Sequence, residues 1–331
     1  ATTEFYTLSL HDALPIWGRI FLPPYKIKRL ERGFMFEIPW NVIAMQFFFG
    51  IALGCIFVLL SSGMSIIFGL LDVVNFAHGT FAMLGAYAVF VVVSLTGNFF
   101  IGLVSAVIIV GIIGMFVEFI LLKPLYGKDP LLPLLLTFGL SVAIPDLIKI
   151  IFGLIGKPVN YPEALSGIIA LGPVIIPGYR LFIILFTLVA IISLWLFLKK
   201  SDLGMIIRAS TRDSLMVQTL GINVSRIWTI GFAIGVGLAA LAGAIAAPMM
   251  SATPDMGVDM TMTAFVVTVV GGLGSLGGAI VGGLLIGLVV AFTAFIAGEY
   301  SSVSMYFCMA LILLLRPRGL FGEQGDRKSV V

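Results

Sequence analysis

The chain has 331 residues, of which 60% are hydrophobic and 11% charged, with a mean hydropathy of +1.17. Soluble domains carry about 25% charged residues, so a water-soluble globular protein is excluded and most of the chain belongs in a bilayer. A net charge of +3 is too small to point to nucleic acid, and the two cysteines, Cys55 and Cys308, sit in apolar runs and offer neither a disulfide framework nor a metal site.

Residues 1–16 (ATTEFYTLSLHDALPI) lack the basic start, apolar run and cleavage pattern of a signal peptide. They resemble translated sequencing-adapter read-through and read as a non-native leader. The tail 323–331 is suspect in part, through Asp326–Val331. Both ends are set aside. Residues 17–40 are mixed and basic, with Arg19, Lys26, Lys28, Arg29 and Arg32 around a Pro23-Pro24 break. Such a juxtamembrane segment either lies on the membrane surface or leads in as disordered chain.

Apolar runs then follow at about 41–62, 81–96, 99–122, 131–155, 181–198, 227–250, 260–276, 279–297 and 302–315. A spanning helix needs roughly 20 residues, so residues 41–322 are expected to form an all-α, polytopic membrane bundle of about 8–10 spans, some broken or re-entrant. The connections alternate in charge. Lys123–Pro130 carries two lysines, 199–226 is net basic, and Arg316 and Arg318 close the last run. Ser251–Asp259 carries Asp255 and Asp259, and Gly298–Ser301 carries Glu299. The positive-inside rule makes the first set cytoplasmic, with the C-terminus, and puts the 156–180 loop outside.

Counting back from there through nine spans puts the start of the bundle outside, whereas the basic lead-in argues for inside. The conflict disappears if 41–75 holds more than one crossing. As helix, that segment reaches about 50 Å, while two full crossings need about 60 Å. One full helix plus a broken or re-entrant half fits.

No Walker A pattern, HExxH, CxxC or Gly-x-Ser-x-Gly occurs. Buried ionisable candidates are few: Asp72, His78, Glu118, Asp146 and Lys149. A proton-driven carrier, which relies on intramembrane carboxylates and histidines, is therefore disfavoured. Gly231, Gly235, Ala239, Gly243 and Ala247 recur every fourth residue and form a ridge for close helix packing.

Two stretches interrupt apolar sequence. Gly69–Tyr87 (GLLDVVNFAHGTFAMLGAY) contains Asp72, Asn75, His78 and Gly79. Gly271–Gly283 (GGLGSLGGAIVGG) contains Gly271, Gly272, Gly274 and Ser275. Irregular backbone at membrane depth either packs in protein or lines a cavity, and paired breaks point to a central pathway. Asn75, His78, Gly79, Gly271, Gly272, Gly274 and Ser275 are the candidate pathway residues, with packing as the rival reading.

The string NFAHG, followed by Met83 and Gly85-Ala86-Tyr87, resembles the permeases of branched-chain amino acid ABC importers, the LivH/LivM type. Three further stretches agree in order: Arg208-Ala209 with Asp213, Met216 and Leu220-Gly221-Ile222-Asn223; Val270–Gly278; and Arg316-Pro317-Arg318-Gly319-Leu320-Phe321-Gly322. The likeness covers about 43–322 and leans to the LivH-like member. Arg212 departs from an acidic or amide residue, and Pro145 from a polar one.

The resemblance implies a permease subunit without catalytic residues or cofactor, in a bacterial inner membrane. It would work with a second permease, two ATP-binding subunits and a periplasmic binding protein. The substrate class it implies is leucine, isoleucine, valine or another small amino acid, with urea and short amides as relatives and, in the wider superfamily, sugars. A stand-alone channel for a small polar solute is the alternative from another class. The 199–226 segment is then the coupling loop. Ser210 and Asp213 have capping-box spacing and Gly221 supplies a stop, which predicts a helix over Thr211–Leu220. Leu215, Met216, Thr219 and Leu220 are its expected docking side, with Arg208, Asp213 and Gly221 completing the candidate coupling residues.

Overall fold

The computed structural model describes residues 39–172 and 174–322. The readings made on 1–16, on 17–38 and on 323–331 lie outside these residues.

The architecture is helical. In chain order the helices are α1 (Trp40–Leu71), α2 (His78–Thr96), α3 (Phe99–Val117), α4 (Leu131–Phe152), α5 (Gly178–Lys200), α6 (Asp202–Arg212), α7 (Ser214–Thr219), α8 (Val224–Met250), α9 (Met256–Gly271), α10 (Leu276–Ile296) and α11 (Ser301–Leu315). Among the described residues eight spans are long and apolar enough to cross a membrane, and α9 is a shorter apolar helix. Each apolar run of the sequence has become one helix. The protein is a multi-pass membrane protein.

The segment 41–75 holds one continuous helix, not a helix plus a half. α1 has 32 residues and extends about 48 Å at 1.5 Å per residue, well beyond a hydrocarbon core of about 30 Å. Gly50 faces Leu288 and Ala291, Gly54 faces Leu284, and Val58 lies against Gly283. α1 and α10 are therefore antiparallel and touch through small residues along most of their length, as membrane helices do when packing replaces hydrophobic drive.

α8 is the hub: 72% of its most apolar window is buried. Its small-residue ridge explains why. Gly231 and Gly235 receive Leu70 and Ile67 of α1, and Gly243 seats the Ala82 backbone of α2. Added methyl groups at these positions would overlap their neighbours. The ridge serves packing.

At one end of the bundle, two short strands form a feature that the sequence did not announce. β1 (Ile168–Leu171) and β2 (Val174–Pro177) pair antiparallel, with Ile169 opposite Ile176. Lys157 and Ala252 pair in an isolated antiparallel bridge. At the other end lie α6 and α7, the ends of α1 and α9, and residues 316–322. Trp40 stands at the hairpin end and Arg316 at the opposite one, so the bundle begins and finishes on different faces.

Candidate functional site

The short-helix end is built by a succession of caps. α5 finishes in Lys199 and Lys200. The Ser201 hydroxyl then accepts from the Gly204 amide at 3.0 Å and starts α6. Gly204, Ile207 and Ser210 form the buried side of α6, a three-residue spacing that marks one helix face. At Asp213 the backbone turns extended, with φ −150° and ψ 92°. Its carboxylate accepts from the Met216 amide at 2.9 Å and starts α7. Gly221, at φ +82°, ends it. Asn223 caps α8 by accepting from the Arg226 amide at 3.2 Å.

This corrects the helix expected over Thr211–Leu220. Ser210 does not cap: α6 runs through it, and its buried hydroxyl has no partner. Asp213 takes the cap, and α7 has six residues, Ser214–Thr219. The outward side is where the sequence put it. Leu215, Met216 and Leu220 are 70%, 63% and 71% exposed, while Val217 is buried and anchors the helix. Arg208 and Thr219 are also exposed.

The polar break after α1 lies inside the bundle. Asp72, at φ 53°, stops α1. Residues 72–77 double back, so that His78 Nε2 lies 2.9 Å from the Leu60 carbonyl, about 16 Å along α1 from its end. Asn75 Oδ1 accepts from the Ala77 amide at 3.0 Å. The Gly79 amide donates to Thr261 Oγ1 at 3.1 Å, and the Thr261 hydroxyl reaches the Phe76 and Gly257 carbonyls. Thr261 of α9 thus serves the Gly79 amide and the Phe76 carbonyl, while Thr137 of α4 accepts from the Phe76 amide at 3.3 Å. Several side-chain atoms are not satisfied: Asn75 Nδ2, His78 Nδ1 and the hydroxyls of Thr80, Ser62, Ser65 and Thr268 are buried without a partner. Ser62, Ser65 and Thr268 were not among the expected residues; the Ser61-Ser62 and Ser65 cluster inside an apolar run was the available signal.

The glycine break is confined to residues 272–275, between α9 and α10. Gly272 and Gly274 have φ of 106° and 78°, which only glycine adopts without strain. The Ser275 hydroxyl accepts from the Gly278 amide at 3.0 Å and caps α10. Gly271 packs on the Gly278 backbone and Gly272 on the Phe321–Gly322 backbone. The amides of Leu320 and Phe321 donate to the carbonyls of Val270 and Gly271, both at 2.9 Å. Gly271 and Gly272 are thus packed in protein. Gly274 lines a cavity of about 370 Å³ together with Ser65, Gly69, Lys199 and Arg208.

The two breaks are not brought together. Gly79 meets the first turns of α9 at Gly257 and Thr261, whereas Gly271–Ser275 lies past its last turn. Gly274 instead approaches Gly69, which also faces Thr211 of α6. The glycine break therefore belongs to the same end of the bundle as α6 and α7.

Of the other ionisable candidates, Glu118 is fully buried in a π-helical turn, Glu118–Leu122, that extends α3. Asp72 and Asp146 are exposed, and Lys149 pairs with Asp146 at 3.2 Å and Asp255 at 3.4 Å. No group of three or more His, Cys, Asp or Glu side chains suited to a metal gathers among the described residues.

Comparison with known proteins agrees along the length of the bundle. A family model described as "Branched-chain amino acid transport system / permease component" matches residues 46–315. The high-affinity branched-chain amino acid transport system permease protein LivH of Escherichia coli K12 is 29% identical over 294 residues, covering 84% of this chain and 95% of its own. The corresponding protein BraD of Pseudomonas aeruginosa is 30% identical over 290 residues, covering 83% and 94%. The ribose import permease protein RbsC of Haemophilus influenzae is 33% identical over 126 residues, 37% of this chain and 39% of its own. No solved structure matches significantly. The motifs at 75–87, 208–223, 270–278 and 316–322, the helical bundle and the match over 46–315 lead to one conclusion: the chain belongs to the family of permease components of branched-chain amino acid transport systems.

Proposed function

We propose that the chain is the transmembrane permease subunit of a bacterial ABC importer for branched-chain or other small amino acids. What carries this reading is the family match across residues 46–315. The exposed, doubly capped α7 supports it. A six-residue helix is too short to be stable alone, yet this one is held by Asp213, Val217 and Gly221 with Leu215, Met216 and Leu220 turned out. Those three side chains are the proposed contact with an ATP-binding subunit. Arg208, Asp213 and Gly221 set the geometry of that contact.

In this reading the short-helix end is cytoplasmic, with the C-terminus, and the hairpin end faces outward. The basic residues Lys199, Lys200, Arg208, Arg212 and Arg226 support the assignment through the positive-inside rule. The membrane is the bacterial inner membrane. A second permease subunit, two ATP-binding subunits and a periplasmic binding protein complete the machine, and ATP hydrolysis belongs to the partners. Closure of the ATP-binding subunits moves α7 as a rigid body, and the bundle alternates its access.

The substrate route is proposed along buried polar groups that lack protein partners: Asn75 and His78 at the first break, with Ser62 and Thr268. In a medium without water such groups are costly unless a solute or water engages them. Gly79 lets α2 approach α9 beside this seam. The glycine break, with Gly271, Gly272, Gly274 and Ser275, is the joint between the route and α6.

Reconstitution tests the reading. Proteoliposomes holding the complete subunit set should take up leucine in an ATP- and binding-protein-dependent way, while the chain alone gives no flux. Leucine flux through the chain alone would assign it to a stand-alone channel instead.

A further inference from the structure

The cavity of about 370 Å³ at the short-helix end opens where α1, α5 and α6 diverge, beside Gly274. Ile66, Leu198 and Ile207 give it a buried apolar wall. Ser65 stands in that wall, 2% exposed, and its hydroxyl has no hydrogen-bond partner. Lys199 and Arg208, both exposed, also line it. Among the described residues neither forms an ion pair with a carboxylate. Lys199 Nζ instead sits 4.6 Å above the ring of Trp195, a third lining residue.

These features specify a ligand with three parts. Two cations without a carboxylate partner, one of them reaching only the Lys199 carbonyl at 3.5 Å, suit an anionic head. The buried hydroxyl calls for an acceptor just inside it. The apolar wall calls for a hydrocarbon arm. Location selects the source. The apolar run of α5 ends at Lys199, where hydrocarbon gives way to water, and a tryptophan beside a lysine at that depth is an interfacial anchor. We infer that the cavity binds an acidic phospholipid from the adjoining leaflet. Its phosphate lies between Lys199 and Arg208, a glycerol-ester carbonyl accepts from Ser65 Oγ, and an acyl chain lies against Ile66, Leu198 and Ile207. The lipid would then touch α6, one residue from the Asp213 cap at its far end, and the α9–α10 break at once. A soluble branched carboxylate shares this chemistry, so the experiment must separate the two.

The purified full-length chain is placed in phosphatidylcholine nanodiscs containing a minor share of phosphatidylglycerol, and the lipid retained on extraction is counted by native mass spectrometry. Each basic residue near an acidic headgroup favours it roughly fivefold, so phosphatidylglycerol should be enriched on the order of 20-fold over its share. The K199Q/R208Q pair should bring the ratio down to the bulk share, and S65A should lower it in part. K200Q, whose side chain does not line the cavity, should leave it unchanged. In a second arm, leucine is titrated into discs of phosphatidylcholine alone. Enrichment that survives K199Q/R208Q overturns the inference. So does leucine binding that this pair abolishes, which would assign the cavity to a soluble carboxylate.

Discussion

The Thr229 hydroxyl donates to Glu118 Oε2 at 2.6 Å, across 111 residues of sequence. The other carboxylate oxygen accepts from the Tyr126 hydroxyl at 2.9 Å. One buried carboxylate therefore ties the π turn after α3, the connection to α4 and the second turn of α8 together, next to the short helices. Removing it leaves Tyr126 without its acceptor, while Thr229 falls back on the Ser225 carbonyl at 3.1 Å. The E118A variant should lose about 1–3 kcal/mol, read as a lower unfolding temperature in detergent, with E118Q between it and the native chain. An unfolding temperature equal to the native one would remove the tie from consideration.

Tyr126 adds a pH dependence to the same group. Burial first, then the Glu118 carboxylate, push its phenol well above the ordinary value of 10.0. The folded state thus holds the proton more tightly than the unfolded chain. Stability from this source is complete below pH 10.0 and is lost as the pH rises through the ordinary tyrosine value toward the raised one. Alkaline unfolding curves should show this loss in the native chain and less of it in Y126F.

Gly221 ends α7 at φ +82°, and a Cβ built there meets nothing within 4 Å. Substitution consequently acts through the backbone alone. Asparagine tolerates this conformation, whereas a β-branched residue does not. Replacing Gly221 with Asn should preserve ATP-driven uptake by the assembled transporter. The G221V variant should be produced at native levels yet hydrolyse ATP without matching uptake. Normal uptake by well-expressed G221V would sink the coupling role.

The Asp213 cap gives a local prediction. Losing an N-cap side chain costs about 1 kcal/mol, a large share for a six-residue helix. Hydrogen exchange should show the amides of 215–220 opening roughly five times more readily in D213A, while D213N retains the native rate. Uniform loosening of α6 and α8 as well would mean that the residue does more than cap.

Helix packing is testable by contrast. A methyl group on Gly243 would overlap the Ala82 carbonyl oxygen, which is backbone and cannot step aside. On Gly237 the nearest atom is a Val107 methyl at 3.3 Å, which can shift. The yield of folded protein should fall severely for G243A and little for G237A. Similar yields would mean that α2 and α8 are not held at this distance.

Much of the bundle was legible because lipid leaves so few options. Backbone in hydrocarbon must satisfy itself, so each apolar run became a helix, and both interruptions became breaks. Their depth was not legible. Asn75–Gly79 folds back beside Leu60, while Gly271–Ser275 comes out at the end with α6, and nothing local in either string separates these outcomes. The helix after Ser210 was misplaced for a related reason. Ser210 and Asp213 are both good caps, and only the burial of Ile207 and Ser210 against the bundle carries α6 two residues further, to Arg212. The 168–177 hairpin had no strong alternation of polar and apolar residues to announce it.

The hydrogen bonds from Leu320 and Phe321 to Val270 and Gly271 make residues 270–321 a closed ring. α10 and α11 cannot drift from the end of α9 without parting these two backbone contacts. The turn through residues 319–322 is thus a clasp. A protein cut short before Leu320 keeps its helices but frees the joint at Gly272–Ser275 to swing, whereas a tag fused after Gly322 leaves the clasp shut.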